Sequence, residues 1–525
     1  MGTDRTSGTA EGLPVGRRRF FGLAGAGVAA LTATAACSSG GGSAGGDQPL
    51  VATTRQGKVR GVQVADGVLV WKGIPFAAPP TGNLRFAPPQ PAQAWSGIRD
   101  ATQFGHGGLQ PPSKADLAAP VADQSEDCLY LNVWSRATSG KRPVIVWIHG
   151  GGFVSGQGAD PLYDGSHYAA RDCVLVTINY RLGAFGGLVL PGKPGSGNLR
   201  LLDQMAALRW VRDNIAGFGG DPANVTVAGE SAGAMSIGPM LGIADARKLF
   251  HRAILASGGP RPMRTPEFMA ATTNSVLHTL GISDPAKLTD VPAEDLLHAS
   301  TAANIDPQVL DPYANVIDGV VFTDHPLKTV NGSVDLMIGT CAREADSFAA
   351  ISPLFGSRTE TLLRQAVGDQ LWDHLQQVYS DTPLPGHDPR TDVFSSWFAQ
   401  MPSVWLAEHA QAAGAKVWQY TFDYPAAIPM GPIHSSDVPY TFGNLDHVKL
   451  SDPATAQRLS ATMVASFTAF AHTGNPQTPD LPDWPSFTPD KRTCLSFDAQ
   501  PQLIDDRLPA ARREAWAEAD PYRVC

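Results

Sequence analysis

The segment Gly229-Glu230-Ser231-Ala232-Gly233 places a serine between two glycines, in a context typical of a serine nucleophile. The β-branched residues of Val225–Ala228 favour a strand before it, and the Ala, Met and Ile residues after it favour a helix. A strand, a G-x-S-x-G turn and a helix together are typical of a nucleophile elbow, which exposes the serine Oγ above a sheet. The N–H of Ala232 and the helix N-terminus would face developing negative charge. The pattern predicts Ser231 as a nucleophile.

The same G-x-S-x-G pattern also matches residues 41–45, around Ser43. That match lies in a Gly/Ser run with no strand before it and no helix after it. Because the elbow needs both flanking elements, Ser43 is not predicted to be a nucleophile.

A serine nucleophile needs a base and an acid, and candidates for both follow it in the chain. In the α/β-hydrolase order the acid comes after the nucleophile and the histidine comes last. Leu336–Thr340 predicts a strand, and Glu344 and Asp346 both lie in the loop beyond it. His434 lies in a Pro/Gly-bounded loop after the predicted strand Val417–Phe422. Both carboxylates remain candidates at this point.

A second glycine-rich loop, His149–Phe153, directly follows the apolar strand predicted over Val144–Ile148. Three consecutive glycines let backbone N–H groups approach a substrate oxyanion without obstruction by side chains. The alternative is a tight structural turn. The elbow about eighty residues further on favours the oxyanion interpretation.

Composition and charge exclude several classes of protein. The chain has 525 residues, of which 43% are hydrophobic and 17% charged, so it is globular with a sizeable core. A formal net charge of −9 and the absence of a basic stripe with interleaved aromatics argue against a nucleic-acid partner.

Six cysteines are too few for a disulfide scaffold. Cys173 is interpreted as a small core hydrophobe, and pairing among Cys128, Cys341, Cys494 and Cys525 is left open.

The first 36 residues are predicted to form a twin-arginine signal. Arg17-Arg18-Arg19-Phe20-Phe21 precedes the apolar, small-residue run Gly22–Ala36. Thr34-Ala35-Ala36-Cys37 is similar to a lipoprotein cleavage box, which predicts a lipid anchor on Cys37 and an exported protein held at the outer face of the bacterial cytoplasmic membrane. Residues 37–48 would be the flexible tether. Plain secretion after cleavage at an Ala-x-Ala site is the alternative, and the short run disfavours a retained transmembrane helix.

Residues 49–525 are predicted to form one domain. Alternating strands and helices over residues 140–260 indicate a large, mostly parallel, doubly wound sheet flanked by helices. Residues 51–74 suggest antiparallel strands, residues 261–330 a helical insertion over the site, and residues 357–415 further helices. The other predicted strands are Leu129–Trp134, Val174–Asn179 and Ala253–Ala256, and the predicted long helices are Leu201–Phe218 and Ala454–Thr473.

With these motifs in order, the chain resembles the type-B carboxylesterases, the group that also contains the cholinesterases and the non-enzymatic neuroligins. The matching stretches are GIPFAAPPTGNLRF (73–86), SEDCLYLNVW (125–134), PVIVWIHGGGF (143–153), NYRLGAFG (179–186), LLDQMAALRWVRDNIAGFGGDPANVTVAGESAGA (201–234) and HSSDVPYTFGNL (434–445). The resemblance implies the α/β-hydrolase fold with helical insertions over the active site. It also implies hydrolysis of a small-molecule carboxylic ester without a metal or organic cofactor.

The resemblance also implies roles for six residues. Carried over, the nucleophile, acid and base would be Ser231, Glu344 and His434, and the oxyanion N–H groups would come from Gly150, Gly151 and Ala232. Glu344 is preferred over Asp346 because the family's acid stands as Glu-Gly after the strand end. Cys341 and Ala345 depart from that pattern. Two structural ion pairs of the family would map onto Glu126–Arg85 and Arg181–Asp203.

Three departures from the family bear on structure and substrate. The usual disulfide partner of Cys128 would fall near Gly108, where no cysteine stands. The loop Gly108–Asp127 contains no tryptophan, so the cation-binding aromatic of cholinesterases is missing and choline esters are not the predicted substrate. Arg200 replaces a glycine usual before LLDQ, a change that the sequence does not explain.

The predicted function is therefore a serine carboxylesterase that works through an acyl-enzyme. An amidase, a lactonase or a carbamate hydrolase would use the same triad, and residues 261–330 and 350–410 would shape the pocket that distinguishes them. A non-catalytic binding protein on this scaffold is the remaining alternative, although the nucleophile and the histidine both stand in intact contexts. The oligomeric state is left open.

Overall fold

The structure is a computed structural model that describes residues 50–112, 121, 123–261, 263–305, 312–351, 355–425 and 431–524. The predicted signal, the tether with Cys37, the second G-x-S-x-G match and Cys525 lie outside the described residues. Within the described residues, no helix is both long and apolar enough to cross a membrane.

The strands of the described residues form two sheets. In chain order they are β1 (Val51–Thr53), β2 (Lys58–Arg60), β3 (Val62–Gln63), β4 (Leu69–Pro75), β5 (Ile98–Asp100), β6 (Tyr130–Ser135), β7 (Arg142–Ile148), β8 (Val174–Ile178), β9 (Gly220–Glu230), β10 (Arg252–Ala256), β11 (Asp335–Cys341), β12 (Val417–Phe422), β13 (Cys494–Phe497) and β14 (Gln502–Ile504). The small sheet has the order β1-β2-β5, and the large sheet has the order β14-β13-β12-β11-β10-β9-β7-β8-β6-β4-β3.

The centre of the large sheet is parallel, as predicted. Strands β8, β7, β9, β10, β11, β12 and β13 pair in parallel, whereas β3, β4, β6 and β14 add antiparallel strands at the two ends. Every residue of β8 is buried, as expected of a strand covered on both faces. Alternation along β7 sends Val144, Val146 and Ile148 into one core and Ile145 and Trp147 into the other. The sheet therefore separates two hydrophobic cores.

Helices cover both faces of this sheet. They are α1 (Ser166–Ala170), α2 (Gly183–Gly187), α3 (Leu199–Asn214), α4 (Ala232–Met240), α5 (Ala244–Arg247), α6 (Pro266–Leu280), α7 (Ala293–Ile305), α8 (Pro326–Thr329), α9 (Asp346–Ile351), α10 (Phe355–Val367), α11 (Asp369–Asp381), α12 (Pro389–Ser395), α13 (Met401–Ala412), α14 (Val438–Phe442), α15 (Pro453–Thr473) and α16 (Ala510–Ala515). Local sequence explains their ends: Asp452 caps α15 by accepting from the N–H of Thr455, and Gly474 ends it in the left-handed conformation.

The structure differs from the sequence predictions in one helix and in two strands. The helix predicted over residues 201–218 is α3 followed by a 3-10 turn, Ile215–Phe218. It is buried on most of its surface because it also contacts the insertion, where Asn198 Nδ2 donates to the carbonyl of Val316 at 2.8 Å. Strands β13 and β14 were not predicted, and they extend the sheet beyond β12.

The antiparallel and helical predictions are otherwise confirmed. Pairing of β1 with β2 and of β3 with β4 is antiparallel. Residues 261–330 supply α6, α7 and α8, and residues 357–415 supply most of α10 through to α13. A π-helical turn, Ser396–Gln400, joins α12 to α13. Such turns change the direction in which side chains project, and this one lies beside the cavity described below.

Candidate active site

Ser231 occupies a sharp turn between β9 and α4. Its backbone has φ 53° and ψ −120°, a region that non-glycine residues rarely adopt. Its N–H donates to the carbonyl of Ala256 at 2.9 Å, and its carbonyl accepts from Met235 N–H at 2.8 Å. A Cβ on Gly233 would lie 2.0 Å from the carbonyl oxygen of Ile148, so only glycine lets α4 pack this closely against β7. The surrounding packing holds the strained turn.

A continuous chain of hydrogen bonds joins Ser231, His434 and Glu344. Ser231 Oγ lies 2.8 Å from His434 Nε2, and His434 Nδ1 lies 2.6 Å from Glu344 Oε2. The other oxygen of Glu344 accepts from Cys341 N–H at 2.7 Å, which fixes the carboxylate. Ser231 is 6% exposed, His434 7% and Glu344 0%. This arrangement can move a proton from the serine hydroxyl to the imidazole and stabilise the imidazolium that forms.

The competing carboxylate, Asp346, lies elsewhere. It is the first residue of α9 and pairs with Arg343. The structure thus brings Glu344 to His434 and gives Asp346 a salt bridge outside that chain of hydrogen bonds.

Two further carboxylates surround His434. Glu230 Oε1 lies 3.2 Å from His434 Nε2 and accepts from Ser435 Oγ at 2.6 Å. Burial alone would lower the pKa of His434, but the negative charges of Glu230 and Glu344 outweigh it and raise that pKa to about 9. Burial, followed by the charges of Glu230 and Glu344, raises the pKa of Asp437 to about 7. The site therefore favours a charged imidazole.

The loop after β7 lies beside the elbow because Ile148 and Gly229 are register partners in adjacent parallel strands. A Cβ on Gly150 would lie 2.5 Å from Glu230 Oε2 and 3.1 Å from the Cβ of Ser231, so this position has room only for glycine. Gly151 follows with φ 108°, and Ala232 opens α4 directly after the serine. The backbone of Gly150 and that of Ala232 thus lie beside Ser231, and Gly151 follows in the same loop.

Gln110 holds this loop in place, and no pattern in the sequence indicates that role. Its side-chain oxygen accepts from Gly156 N–H at 2.8 Å, and its side-chain nitrogen donates to the Gly156 carbonyl at 3.0 Å. The His149 ring stacks on Tyr180, with 4.3 Å between ring centroids. These contacts hold the loop on both sides of the glycine run.

Hydrogen bonds close the base of the loop that a disulfide closes in the family pattern. Gly107 N–H donates to the carbonyl of Asp123, and Gln110 N–H donates to the side-chain oxygen of Gln124, both at 2.9 Å. Cys128 is buried and lacks its usual partner, as predicted. The sequence left pairing among the cysteines open, and in the structure Cys128, Cys173, Cys341 and Cys494 are all buried free thiols. Burial raises the pKa of the Cys128 thiol, which leaves it unreactive.

Arg200, which the sequence left unexplained, links three parts of the site. It is 1% exposed, its Nη2 donates to Asn315 Oδ1 at 3.0 Å, and its guanidinium lies 4.5 Å from the ring centroid of Phe153. It therefore connects α3 with the insertion and with the loop after β7.

The two expected ion pairs also form, Arg85 with Glu126 at 2.5 Å and Arg181 with Asp203 at 2.7 Å.

The serine opens into a cavity of about 810 Å³. Residues of the insertion line part of it, among them Arg261, Asn304 and Tyr313. Phe348 and Phe398 line another part and pack on His434, with ring centroids 5.1 and 5.0 Å away. Within the described residues, no group of three or more His, Cys, Asp or Glu side chains is arranged to hold a metal ion. The cavity is large enough for a small organic molecule.

Known proteins share both the sequence and this architecture. The sequence profile of the Carboxylesterase family matches residues 47–516. The chain is 38% identical to the para-nitrobenzyl esterase of Bacillus subtilis over 87% of this chain and 96% of the relative. It is 33% identical to the phenmedipham hydrolase of Pseudarthrobacter oxydans over 85% and 94%, respectively. The structure of the Geobacillus stearothermophilus carboxylesterase superposes with a TM-score of 0.79 at 36% identity, covering 89% of this chain and 99% of that one. The predicted α/β-hydrolase fold is confirmed.

Proposed function

The chain belongs to the carboxylesterase family and is a carboxylic ester hydrolase, and from that premise we propose that Ser231 is its nucleophile, His434 its general base and Glu344 the acid that orients the base. The observation that carries this proposal is the unbroken chain of hydrogen bonds, 2.8 Å and 2.6 Å, in a buried site at the end of the strained elbow.

The reaction is acyl transfer to water. His434 takes the Ser231 proton as Oγ attacks the ester carbonyl, and the imidazolium then donates that proton to the departing alcohol. Water, activated by the same histidine, attacks the acyl-enzyme and releases the acid. Glu344 stabilises the charged imidazole and keeps Nε2 directed at the serine.

Backbone N–H groups of Gly150, Gly151 and Ala232 hold the oxyanion of the two tetrahedral intermediates. The close approach of Gly150 to Ser231 supports this role, as does the position of Ala232 at the start of α4. Each such donor contributes roughly two to three orders of magnitude in kcat in comparable sites. The substrate is a small-molecule ester, bound in the cavity that Ser231 faces.

We also propose a cellular location, which rests on the N-terminal sequence. Residues 1–36 form a twin-arginine export signal, and Cys37 carries a lipid that anchors the protein through the tether of residues 37–48. Mass spectrometry of the mature N-terminal peptide tests this point. A diacylated Cys37 is expected, whereas an unmodified N-terminus would show plain secretion.

The test of the catalytic assignment compares the purified protein with Ser231→Ala on a chromogenic butyrate ester. Loss of roughly five to six orders of magnitude in kcat is expected, as for nucleophile removal in other serine hydrolases. Wild-type protein should also release a burst of the chromogenic alcohol, about one molecule per active site, as the acyl-enzyme forms. A Ser231→Ala variant that retained wild-type turnover would overturn the assignment.

The same assay also tests which class of substrate the enzyme prefers: esters, amides, lactones or carbamates. Matched butyryl esters, anilides and lactones, together with an aryl carbamate, are compared by kcat/KM on one enzyme preparation. The ester is expected to be the fastest, and a faster anilide, lactone or carbamate would change the natural substrate class while leaving the triad intact.

A further inference from the structure

Ser435, the residue directly after His434, has a strained backbone. Its φ is 68°, in the left-handed region that serine rarely adopts. The N–H of Ser436 donates to the carbonyl of Ile433 at 3.0 Å, so His434 and Ser435 are the two central residues of a tight turn. Glycine or asparagine usually supplies a positive φ at the second of these positions. The turn itself therefore does not favour a serine here, and strain at a site calls for a functional explanation.

The hydroxyl of Ser435 reaches the carboxylate next to the nucleophile. Ser435 Oγ donates to Glu230 Oε1 at 2.6 Å, and Glu230 directly precedes Ser231 in the chain. The other oxygen of Glu230 packs against the loop after β7, because a Cβ on Gly150 would lie 2.5 Å from Oε2. Glu230 is 3% exposed. The carboxylate is therefore held between the turn that carries His434 and the glycine loop.

The same carboxylate competes for the nitrogen that accepts the serine proton. His434 Nε2 lies 2.8 Å from Ser231 Oγ and 3.2 Å from Glu230 Oε1. Nδ1 faces Glu344, so Nε2 carries the lone pair of the neutral imidazole. A carboxylate oxygen this close to a lone pair is repelled unless another donor binds it. In the charged imidazole, by contrast, the carboxylate attracts the Nε2 proton that the leaving alcohol must receive.

Resting on the proposed triad, we propose that Ser435 is a positioning residue whose hydroxyl keeps Glu230 ionised and away from the Nε2 proton of His434. With Oε1 bound to the hydroxyl, Nε2 exchanges its proton with Ser231, the leaving alcohol and the attacking water. Glu230 then stabilises the imidazolium through its charge, and Ser435 neither gains nor loses a proton in the reaction.

Loss of the hydroxyl raises the proton affinity of the His434–Glu230 pair. The productive form has no proton on Nε2 or on Glu230, and it is the form in which the carboxylate most needs a donor. A proton added to either atom relieves that need, so removing the Ser435 hydroxyl favours the protonated pair. The acid limb of kcat/KM therefore moves to higher pH. Removing the Glu230 charge has the opposite effect, because it destabilises the imidazolium.

Other ionisable groups also face this pair. Glu344 and Asp437 act on His434, and Tyr163 and Tyr180 lie near Glu230. Burial raises the pKa of both tyrosine hydroxyls, so both remain neutral. Replacing serine by an uncharged residue leaves the number of charges at the site unchanged, and a shift of the acid limb then reports the lost hydrogen bond.

The midpoint of the acid limb of kcat/KM, measured on the chromogenic butyrate ester, tests the proposal. Ser435→Ala and Ser435→Gly both remove the hydroxyl, and each should raise the midpoint by about one pH unit. The two variants differ in backbone strain, because glycine adopts a positive φ freely and alanine does not, so Ser435→Gly should have the higher Tm. Equal midpoints with unequal Tm values separate the hydroxyl from the backbone. Ser435→Gly also tests the contact if Ser435→Ala does not fold.

Two controls isolate the contact with Glu230. In a Glu230→Gln background, Ser435→Ala should cause no upward shift relative to Glu230→Gln alone, because no carboxylate remains to be held. Ser436→Ala removes a hydroxyl from the same turn, one that donates to the carbonyl of Ile433 at 2.6 Å, and it should leave the midpoint unchanged.

An unmoved or lowered midpoint in the Ser435 variants would overturn the role of Ser435 while ester hydrolysis stands. A shift in Ser435→Ala alone would assign the effect to strain and overturn it as well. An equal upward shift in the Glu230→Gln background, or in Ser436→Ala, would do the same, since the effect would then not pass through the carboxylate. Hydrolysis that survives Ser231→Ala, or none by wild-type protein, would overturn the proposed function and this inference with it.

Discussion

The two sides of the cavity are built differently. On one side, Ser231, Glu344 and the Gly150 loop stand at or just beyond the ends of three parallel strands, β9, β11 and β7. On the other side, Arg261, Phe348 and Phe398 come from the insertion and from the helices after β11. The first side uses backbone groups and side chains that the ends of the sheet strands hold rigidly, whereas the second uses side chains carried by helices and turns.

Because of this difference, we expect the strand-end side to govern the rate of the reaction and the helical side to govern which substrate is preferred. Strand-end positions are fixed by the hydrogen-bonded register of the sheet, so a small displacement there moves several reacting groups at once. A side chain on a helix changes the shape or charge of the wall without moving the sheet. We therefore expect large effects on kcat from the strand-end side and modest effects on substrate preference from the helical side.

The largest effect among the following variants is expected from Glu344→Gln. The amide removes the charge that stabilises the imidazolium and favours the wrong tautomer of His434, so kcat should fall roughly 10⁴-fold. The matched variant Asp346→Asn should keep kcat within a small factor of wild type, because Asp346 pairs with Arg343. Steady-state kinetics of the two variants on one ester checks the comparison, and the reverse order would make Asp346 the acid.

Gly150→Ala should follow in size. The added methyl group would meet the Glu230 carboxylate and the Cβ of Ser231, which displaces an oxyanion donor and should reduce kcat roughly 10²- to 10³-fold. The control is Gly192→Ala, a glycine with φ 72° and no atom within 4 Å of an added Cβ. That variant introduces backbone strain away from the site, whereas Gly150 does not have a positive φ. Equal losses of kcat in the two variants would point to general strain instead of oxyanion binding.

Glu230→Gln should shift the pH profile. Only neutral His434 accepts the serine proton, so kcat/KM falls as pH decreases through the pKa of His434, which is raised above the ordinary 6.5. Removing the Glu230 charge destabilises the imidazolium and lowers that pKa, so the acid limb should move to lower pH by roughly one unit. The measurement is the midpoint of kcat/KM against pH in both proteins, which is independent of the maximum rate. An unmoved midpoint would show that Glu230 does not set it.

The smallest effect is expected on the helical side from Phe398→Leu. The smaller side chain leaves room for a longer acyl or alcohol chain, and each added methylene that it accommodates is worth about 0.8 kcal/mol, or roughly fourfold in kcat/KM. A series of esters from acetate to octanoate should shift its optimum toward longer chains. A uniform loss across the series would instead place Phe398 with the groups that position His434.

The sequence predicted the strand-end side well because its signals are local. The β-branched run before Gly229 and the small residues after it define the elbow within ten residues, and the apolar runs of β7, β8 and β12 define strands without reference to the rest of the chain. Strands β13 and β14 were missed because they are short. Strand β13 pairs with β12, which lies about 75 positions earlier in the chain, and β14 joins the sheet only through β13.

By itself, then, the sequence determined the nucleophile turn, the glycine loop, the family and the parallel sheet. Backbone conformation and hydrophobic periodicity are properties of a few consecutive residues, which explains this success. The tertiary structure decided which carboxylate reaches His434, how Gln110 and Arg200 hold the loop and the insertion, and that Arg261 faces the cavity. Those contacts join residues tens to hundreds of positions apart, and their geometry depends on how the helices pack over the sheet, which no local pattern encodes.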